Sequence, residues 1–539
     1  MITSLQISFP VEALKNKDML YRCAAKTMGV PLKEISYVEL RRLSLDARGR
    51  LPHYAATVEV YTRPDVFEPE DFDFSMPAIV SGSPRVVIAG MGPAGIFAAL
   101  TLASAGVKPV LLERGKPVRE RKRDVARIGR EGVLDPDSNY SFGEGGAGCF
   151  SDGKLYTRSN KRGDVGRVLR TFVRYGAKEE ILYQAHPHLG SDRMPAMIER
   201  MRESLLDAGA EIHFGVCITG IQADRQGRFC AVQDTQGREY GGDALVLATG
   251  NSASDLYRSM NRNGFLIEEK PFAMGVRVEH PQEVIDFMQY KGAEKRMSLP
   301  PAEYAFAFQC RTGGVFSFCM CPGGVVVPAS TSVQGLVVNG MSDSERNSPR
   351  ANAGWVTGVS RDILRQAGYR LPDTPLALLD FQQALEKRFL TPDKGFMAPA
   401  QRLTDFMNGN PSVNLPKSSY PPGIFPAAMD DYLPGFITQA LREGFRQTIA
   451  KKPAFLTREA ILLGLESRTS TPVRIPRDPQ TWEHVRMPGL YPCGEGAGYA
   501  GGITSSAIDG INCAEKILAK WNKKSTFGLP QAGKNPLKA

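Results

Sequence analysis

The sequence has no run of apolar residues near the roughly 18–20 that a membrane-spanning helix needs. Its first twenty residues lack the basic start and long apolar stretch of a secretory signal. Internal repeats and low-complexity tracts are also missing, which excludes solenoids, collagen-like chains and extended disorder. Cysteine is sparse: nine thiols, an odd number, are scattered from Cys23 to Cys513. That usage suits a reducing compartment and excludes a disulfide-stapled scaffold. Histidine is rare, with six residues, and no Cys/His cluster carries metal-ligand spacing, so no metal is expected. What remains is an ordinary globular composition, 42% hydrophobic and 23% charged over 539 residues, enough for about three domains. A cytoplasmic protein without a membrane partner is expected. The net charge of +10 is mild for so large a surface; it favours anionic ligands or a weak hold on nucleic acid without demanding either.

Residues 1–75 read as a small α+β domain of ferredoxin-like character. An extended start at 5–9 leads to a helical stretch at 19–28, then to β-like runs at 35–43 and 54–61. Acids, prolines and Ser-Gly-Ser give residues 64–84 the composition of a linker. A βαβ pattern begins at Arg85. Val86-Val87-Ile88-Ala89 suits a buried parallel strand. It runs into Gly90-Met91-Gly92-Pro93-Ala94-Gly95, a GxGxxG turn before small and apolar residues at helical spacing. A second strand, Pro109-Val110-Leu111-Leu112-Glu113, ends in a carboxylate 18 residues after Gly95. In this arrangement Gly90 permits the tight turn, Gly92 the approach of a pyrophosphate, and Gly95 close packing of helix on strand. The first N–H groups of the helix bind the diphosphate. Glu113 accepts from the adenosine ribose and disfavours a 2′-phosphate, despite the adjacent Arg114. The same spelling recurs at Gly143 and Gly496, but neither copy is followed by a strand ending in an acid.

Two later segments decide which dinucleotide. Ala244-Leu245-Val246-Leu247-Ala248-Thr249-Gly250 is an apolar strand ending in Ala-Thr-Gly. Gly489-Leu490-Tyr491-Pro492-Cys493-Gly494-Glu495 leads into Gly501-Gly502-Ile503-Thr504 and a final helical stretch. This order resembles the FAD-dependent oxidoreductases of the glutathione-reductase and hydroxylase type. The resemblance implies FAD as cofactor, Glu495 at the ribityl chain, and Gly501, Gly502, Ile503 and Thr504 opening a helix toward the pyrimidine edge of the flavin. A helix N-terminus stabilises the negative charge of reduced flavin there.

Longer runs carry the likeness further. Phe142-Gly143-Glu144-Gly145-Gly146-Ala147-Gly148, Ser151-Asp152-Gly153-Lys154-Leu155, His186-Pro187-His188-Leu189-Gly190-Ser191-Asp192, Gly275-Val276-Arg277-Val278-Glu279-His280-Pro281 and Glu466-Ser467-Arg468-Thr469-Ser470 are similar to a bacterial family of largely uncharacterised FAD-dependent dehydrogenases. That family carries an extra small α+β domain before its flavin domain. The resemblance implies a Rossmann-like α/β fold with a β-rich substrate domain inserted, and adds Gly145 and Gly146 to the cofactor site. Cys149 departs from the pattern, where a hydroxyl residue such as Thr is expected. The domains are then 80–255 for FAD, 256–440 for substrate, 441–522 returning to the FAD layer, and a flexible tail at 523–539.

No second nucleotide-binding βαβ follows Gly250, and Cys149 has no CxxC partner. Electrons then come from a substrate bound at the flavin, or from NAD(P)H visiting without a domain of its own. Cys319-Met320-Cys321 suggests a redox pair, but in a regular strand i and i+2 lie about 6.5–7 Å apart, at the limit for a disulfide; a buried structural pair is the preferred reading. His186 and His188 suit a flavin-adjacent loop. The basic stretch 114–130 reads as a solvated helix face, or as a docking surface for a nicotinamide phosphate or RNA. Glu466, Arg468, Ser470 and Arg474 are the substrate-side candidates, either anchoring an anion or linking domains by ion pairs. The sequence therefore points to an FAD-dependent oxidoreductase that takes hydride from a small, anionic organic substrate. The alternatives are an RNA-associated flavoprotein that modifies nucleic acid and a redox-silent FAD-binding protein.

Overall fold

The run at residues 86–89 offers water no polar face, and the chain buries it at the centre of a parallel sheet. A computed structural model describes residues 2–49, 51–62, 76–157, 162–295, 297–311 and 313–524. In it the strands Leu490–Pro492, Ala244–Leu247, Arg85–Ala89, Lys108–Glu113 and Glu211–Phe214 lie side by side in that order, all parallel. The helix Pro93–Ser104 crosses from the central strand to its neighbour. It is buried from Ala94 through Ala103 because the terminal helix Ile503–Lys524 packs against it. Small residues allow that contact: a Cβ on Gly510 would lie 2.0 Å from the Ala94 carbonyl oxygen.

A second sheet has seven strands, in the order Ala307–Cys310, Gly313–Cys321, Arg350–Val359, Phe272–Pro281, Ile461–Glu466, Ala398–Arg402 and Ile424–Pro426. Its pairs are antiparallel except the last. Residues of Gly313–Cys321 serve both the packed core and a cavity. Val315 packs on Gly444 of the helix Gly435–Lys451, beside an aromatic cluster in which Trp355 lies 4.9 Å from Phe445 and 5.4 Å from Phe455. Phe316 and Phe318, of opposite parity, face an internal cavity.

The division of the chain differs from the sequence reading at one boundary. Ile461–Glu466 pairs inside the second sheet, and the helix Gly435–Lys451 covers that sheet, so the return to the parallel layer comes after about residue 469 and not at 441. All six residues of Ile461–Glu466 are buried. A strand covered on both faces lacks the alternation that would mark it as part of an antiparallel sheet.

The N-terminal unit is a βαββ arrangement. Its strands run in the order Ile2–Pro10, His53–Tyr61, Tyr37–Asp46, all antiparallel, with the helix Lys17–Met28 packed on them. A full ferredoxin-like plait has a second helix and a fourth strand; among the described residues this unit has neither. Residues 63–75, most of the expected linker, and 525–539, most of the expected tail, lie outside the described residues. Among the described residues no helix is long and apolar enough to cross a membrane.

Gly510→Val should force the terminal helix away from Pro93–Ser104. Overpacking of this kind costs about 1–3 kcal/mol. Thermal melting is expected to fall clearly for this variant and to stay near wild type for Gly435→Ala, whose Cβ would meet nothing within 4 Å. Equal melting of the two would contradict the packing described.

Candidate functional site

The turn after Arg85–Ala89 is built for glycine. Gly90 has φ +100°, and a Cβ there would lie 2.4 Å from the Ala248 carbonyl oxygen; a Cβ on Gly95 would lie 1.9 Å from that of Gly90. Gly92 caps the helix without a side-chain hydrogen bond, and Pro93 opens it. Such a start leaves N–H groups directed at an anion. Gly90, Gly92, Pro93 and Ala94 line a cavity of about 1140 Å³, with Gly95 behind them at the joint of strand and helix. That volume lies just above the usual range of about 300–1,000 Å³ for ligand pockets.

Glu113 does more than the sequence suggested. Its carboxylate accepts the backbone N–H groups of Met91 (2.8 Å), Gly115 (2.9 Å) and Gly143 (2.9 Å), so it joins the first glycine turn to the loop at 139–148. It also lines the cavity, and an ionised carboxylate has room for about four donors, leaving one place for a ribose hydroxyl. Arg114 is held by Asp137 (2.6 Å) and Asp255 (2.8 Å) with its guanidinium 4.3 Å over the Phe142 ring, also at the wall.

Loop 139–148 is held from within by Arg121, which is fully buried. Its guanidinium donates to the carbonyls of Asn139, Tyr140, Gly143 and Glu144. This member of the basic stretch is therefore a strut and no part of a docking face. Gly146 reaches the cavity wall beside Gly92, whereas a Cβ on Gly145 would point at Cys149, 2.8 Å away. Cys149 is buried behind the loop and does not line the cavity; burial pushes its thiol up to about 12.

Ala248, Thr249 and Gly250, then Gly494 and Glu495, then Gly501, Gly502, Ile503 and Thr504 also line the cavity. The buried Tyr257 hydroxyl donates to the carbonyls of Gly250 (3.0 Å) and Gly496 (2.8 Å), joining two of these segments. Thr504 Oγ1 donates to the Leu155 carbonyl at 2.7 Å. Asn251 Nδ2 donates to Glu495 at 2.8 Å. Burial raises the Glu495 carboxyl from 4.5 to about 7, opposed by the nearby Lys270.

The substrate-side candidates separate. Glu466 and Arg468 line the cavity; Ser470 and Arg474 do not. Arg468 donates twice to Glu386 (3.1 and 3.0 Å) and also to Ser252 (3.0 Å) and Thr331 (2.8 Å), an ion-pair network that spans segments. Glu466 pairs with Arg277 at 2.8 Å, both fully buried. Arg474 lies over Tyr499 at 5.6 Å. The cavity continues into a chamber walled by Tyr304, Phe306, Phe316 and Phe318, with Lys154, His186, Cys319, Asp152, Glu303 and Arg346 among its polar members. His186 Nδ1 lies 2.5 Å from Glu303, while His188 turns to the Ser344 carbonyl at 3.3 Å, so the two histidines do not converge. Sequence reasoning missed Glu303, and missed Lys154 as a chamber residue although it stands in a quoted motif.

Cys493, Asp509 and Cys513 also cluster, their ligand atoms within 4.8 Å. Arg477 donates to both Asp509 oxygens (2.7 and 3.0 Å), and Gly494 N–H adds a third bond at 2.7 Å. A guanidinium already supplies the positive charge there.

The residues present fit an adenine–flavin dinucleotide. Positions 250, 501 and 502 are bare: a Cβ on any of these glycines would meet nothing within 4 Å. Among the described residues Thr469 Oγ1, buried at the cavity wall, has no hydrogen-bond partner, a cost that a bound polar ligand would remove.

Comparison with known proteins agrees. A family model described as "FAD-dependent protein, C-terminal domain-like" matches residues 271–469, and a domain of unknown function matches 1–61. An "Uncharacterized protein" of Clostridium beijerinckii is 36% identical over 524 residues, covering 94% of this chain and 96% of that one. Among solved structures, a halogenase PltM variant in complex with FAD is 11% identical with TM-score 0.39, over 82% of this chain and 71% of that one. The 2,6-dihydroxypyridine-3-hydroxylase of Arthrobacter nicotinovorans is 11% identical with TM-score 0.36, over 82% and 85%. FAD is the cofactor of this chain.

The Glu495 carboxyl gives a pH test. Because its folded value lies above 4.5, its contribution to stability is complete below about 4.5 and is lost as pH rises through about 7. In FAD-free protein, Glu495→Gln should melt with wild type at the acid end of that window and above it at the alkaline end. Parallel melting curves across the window would contradict a carboxyl held above its ordinary value by desolvation.

Proposed function

The chain belongs to one family with the Clostridium beijerinckii protein, and from that membership and its FAD cofactor we propose that it is a dehydrogenase acting on a small organic substrate with a flat apolar body and an anionic or polarisable head. One observation carries this reading: a single cavity extends from the glycine turn at Gly90 into the aromatic chamber beside the second sheet. When bound, FAD supplies a two-electron acceptor. The backbone N–H groups of Gly92, Ala94 and Gly95 and the loop at Gly146 would hold its diphosphate. The first turn of the terminal helix would favour negative charge on the bound group, an effect of roughly 0.3–1 kcal/mol.

In the chamber, the half-buried rings of Phe306, Phe316 and Phe318 hold the apolar body, and the Lys154 ammonium attracts the head. Glu303 is held down to about 2, chiefly by its bond from His186 and by Lys154 and Arg346 against the opposing effect of burial. As a charged carboxylate it only accepts, so the His186 proton sits on Nδ1 and Nε2 is left to take a proton from the substrate. NAD(P)H as a visiting donor and a nucleic-acid partner are not required by this arrangement.

An anaerobic panel of flat aromatic and alicyclic acids and alcohols should contain compounds that bleach the bound flavin. His186→Asn should retain FAD and slow that bleaching roughly 10²–10⁴-fold. Bleaching at the wild-type rate in the variant would remove His186 from the reaction, and a panel without any bleaching would count against this substrate class.

A further inference from the structure

The strand Gly313–Cys321 is not regular where its cysteines lie. Phe318 pairs with Gly354 and Cys321 with Asn352, so three steps on one strand face two on the other. The extra residue is taken up by a bulge at which Cys319 has φ +44°, a left-handed backbone that residues with a Cβ seldom adopt. The spacing argument against a Cys319–Cys321 bond assumed a straight strand, and the bulge removes that assumption. Cys321 folds back toward its neighbour, its Sγ–H donating to the Cys319 carbonyl at 3.3 Å.

The surroundings distinguish the two thiols. Cys319 lines the cavity, while Cys321 is completely buried behind it. Arg277, held by Glu466, Asn339 and Asn352, brings Nη1 within 3.1 Å of the Cys319 carbonyl oxygen and 3.9 Å of Cys321 Sγ. The neighbouring Cys321, aided by Arg277 and Lys154, lowers the Cys319 thiol against the effect of burial, while Cys321 is itself raised by its neighbour and by burial. The Cys319 thiol thus faces the cavity with the Cys321 thiol behind it. The bulge is also tied to the flavin end of the cavity. Lys154 Nζ donates to the Met320 carbonyl, and the next residue, Leu155, accepts from Thr504 in the first turn of the terminal helix.

We propose that Cys319 and Cys321 form a dithiol–disulfide couple that exchanges an electron pair with the FAD in the same cavity. In the oxidising direction the two thiols lose two electrons and two protons and gain one S–S bond. The electrons and one proton pass to oxidised FAD, and the second proton goes to solvent. In the reverse direction reduced FAD returns the electron pair and one proton, solvent returns the second proton, and the S–S bond reopens to two thiols. This rests on FAD being bound and is independent of the substrate assigned to the chamber.

The test uses purified holoprotein. After isolation in air, denaturation with iodoacetamide should leave Cys319 and Cys321 unlabelled, in a peptide lighter by two hydrogens than the dithiol. Anaerobic photoreduction should then consume about four electrons per FAD and make both cysteines reactive, against about two electrons in Cys319→Ser and Cys321→Ser. The wild-type measurement decides the matter even if a variant fails to fold. Uptake of two electrons per FAD in wild type with both cysteines labelled from the start would overturn the proposal. So would a disulfide that photoreduced protein leaves intact until dithiothreitol is added. A preparation without FAD would refute the cofactor assignment itself before this comparison begins.

Discussion

Three backbone N–H groups from two separate loops converge on the carboxylate of Glu113, and the dinucleotide end of the cavity depends on that convergence. Hydrogen bonds to a charged group contribute about 1.5–3 kcal/mol each, and a buried carboxylate without donors would be strongly disfavoured. The bonds therefore act in both directions: the loops stabilise the charge, and the charge fixes the distance between the loops. Met91 and Gly143 are brought to the same point, so Gly146 can stand against Gly92 at the wall. An acid at the end of the second strand is thus a structural clamp as well as a ligand for ribose.

Buried arginines perform the corresponding task elsewhere. Arg121 gathers four carbonyls of the loop at 139–148, Arg468 bridges Glu386 to Ser252 and Thr331, and Arg277 ties the second sheet to Asn339 across the bulge. A guanidinium has five donors in a rigid fork, which suits a point where several acceptors meet. The positive excess of the sequence is partly used inside the molecule. This is why a count of basic residues around Arg121 predicts a surface that the structure does not make of it.

The features legible in the sequence were those in which one residue type answers one local constraint. Gly90 and Gly95 are legible because no side chain fits their places, and Glu113 because a strand ends on it. The parallel layer follows from its apolar runs and the spacing between them. What was not legible depends on partners distant in the chain. The buried strand Ile461–Glu466 has no alternation to reveal its sheet, so the domain boundary was set too early. Glu303 meets His186 across more than a hundred residues, and no local pattern marks it. The bulge at Cys319 arises from register against Arg350–Val359; from the sequence alone a straight strand was the natural assumption, and it suppressed the redox reading.

The position of the N-terminal unit follows from the same kind of long-range pairing. Leu43 N–H donates to the Tyr183 carbonyl, and Ala185 N–H donates to the Leu43 carbonyl, so its strand Tyr37–Asp46 is stitched to the segment immediately before His186. On the other side, His188 pairs with Lys154 in a β-bridge and reaches Ser344, while Glu303 of the substrate side holds the His186 ring. Three parts of the chain therefore grip six residues that carry one wall of the chamber. The small first domain thus belongs to the architecture of the site, although none of its described residues lines the cavity.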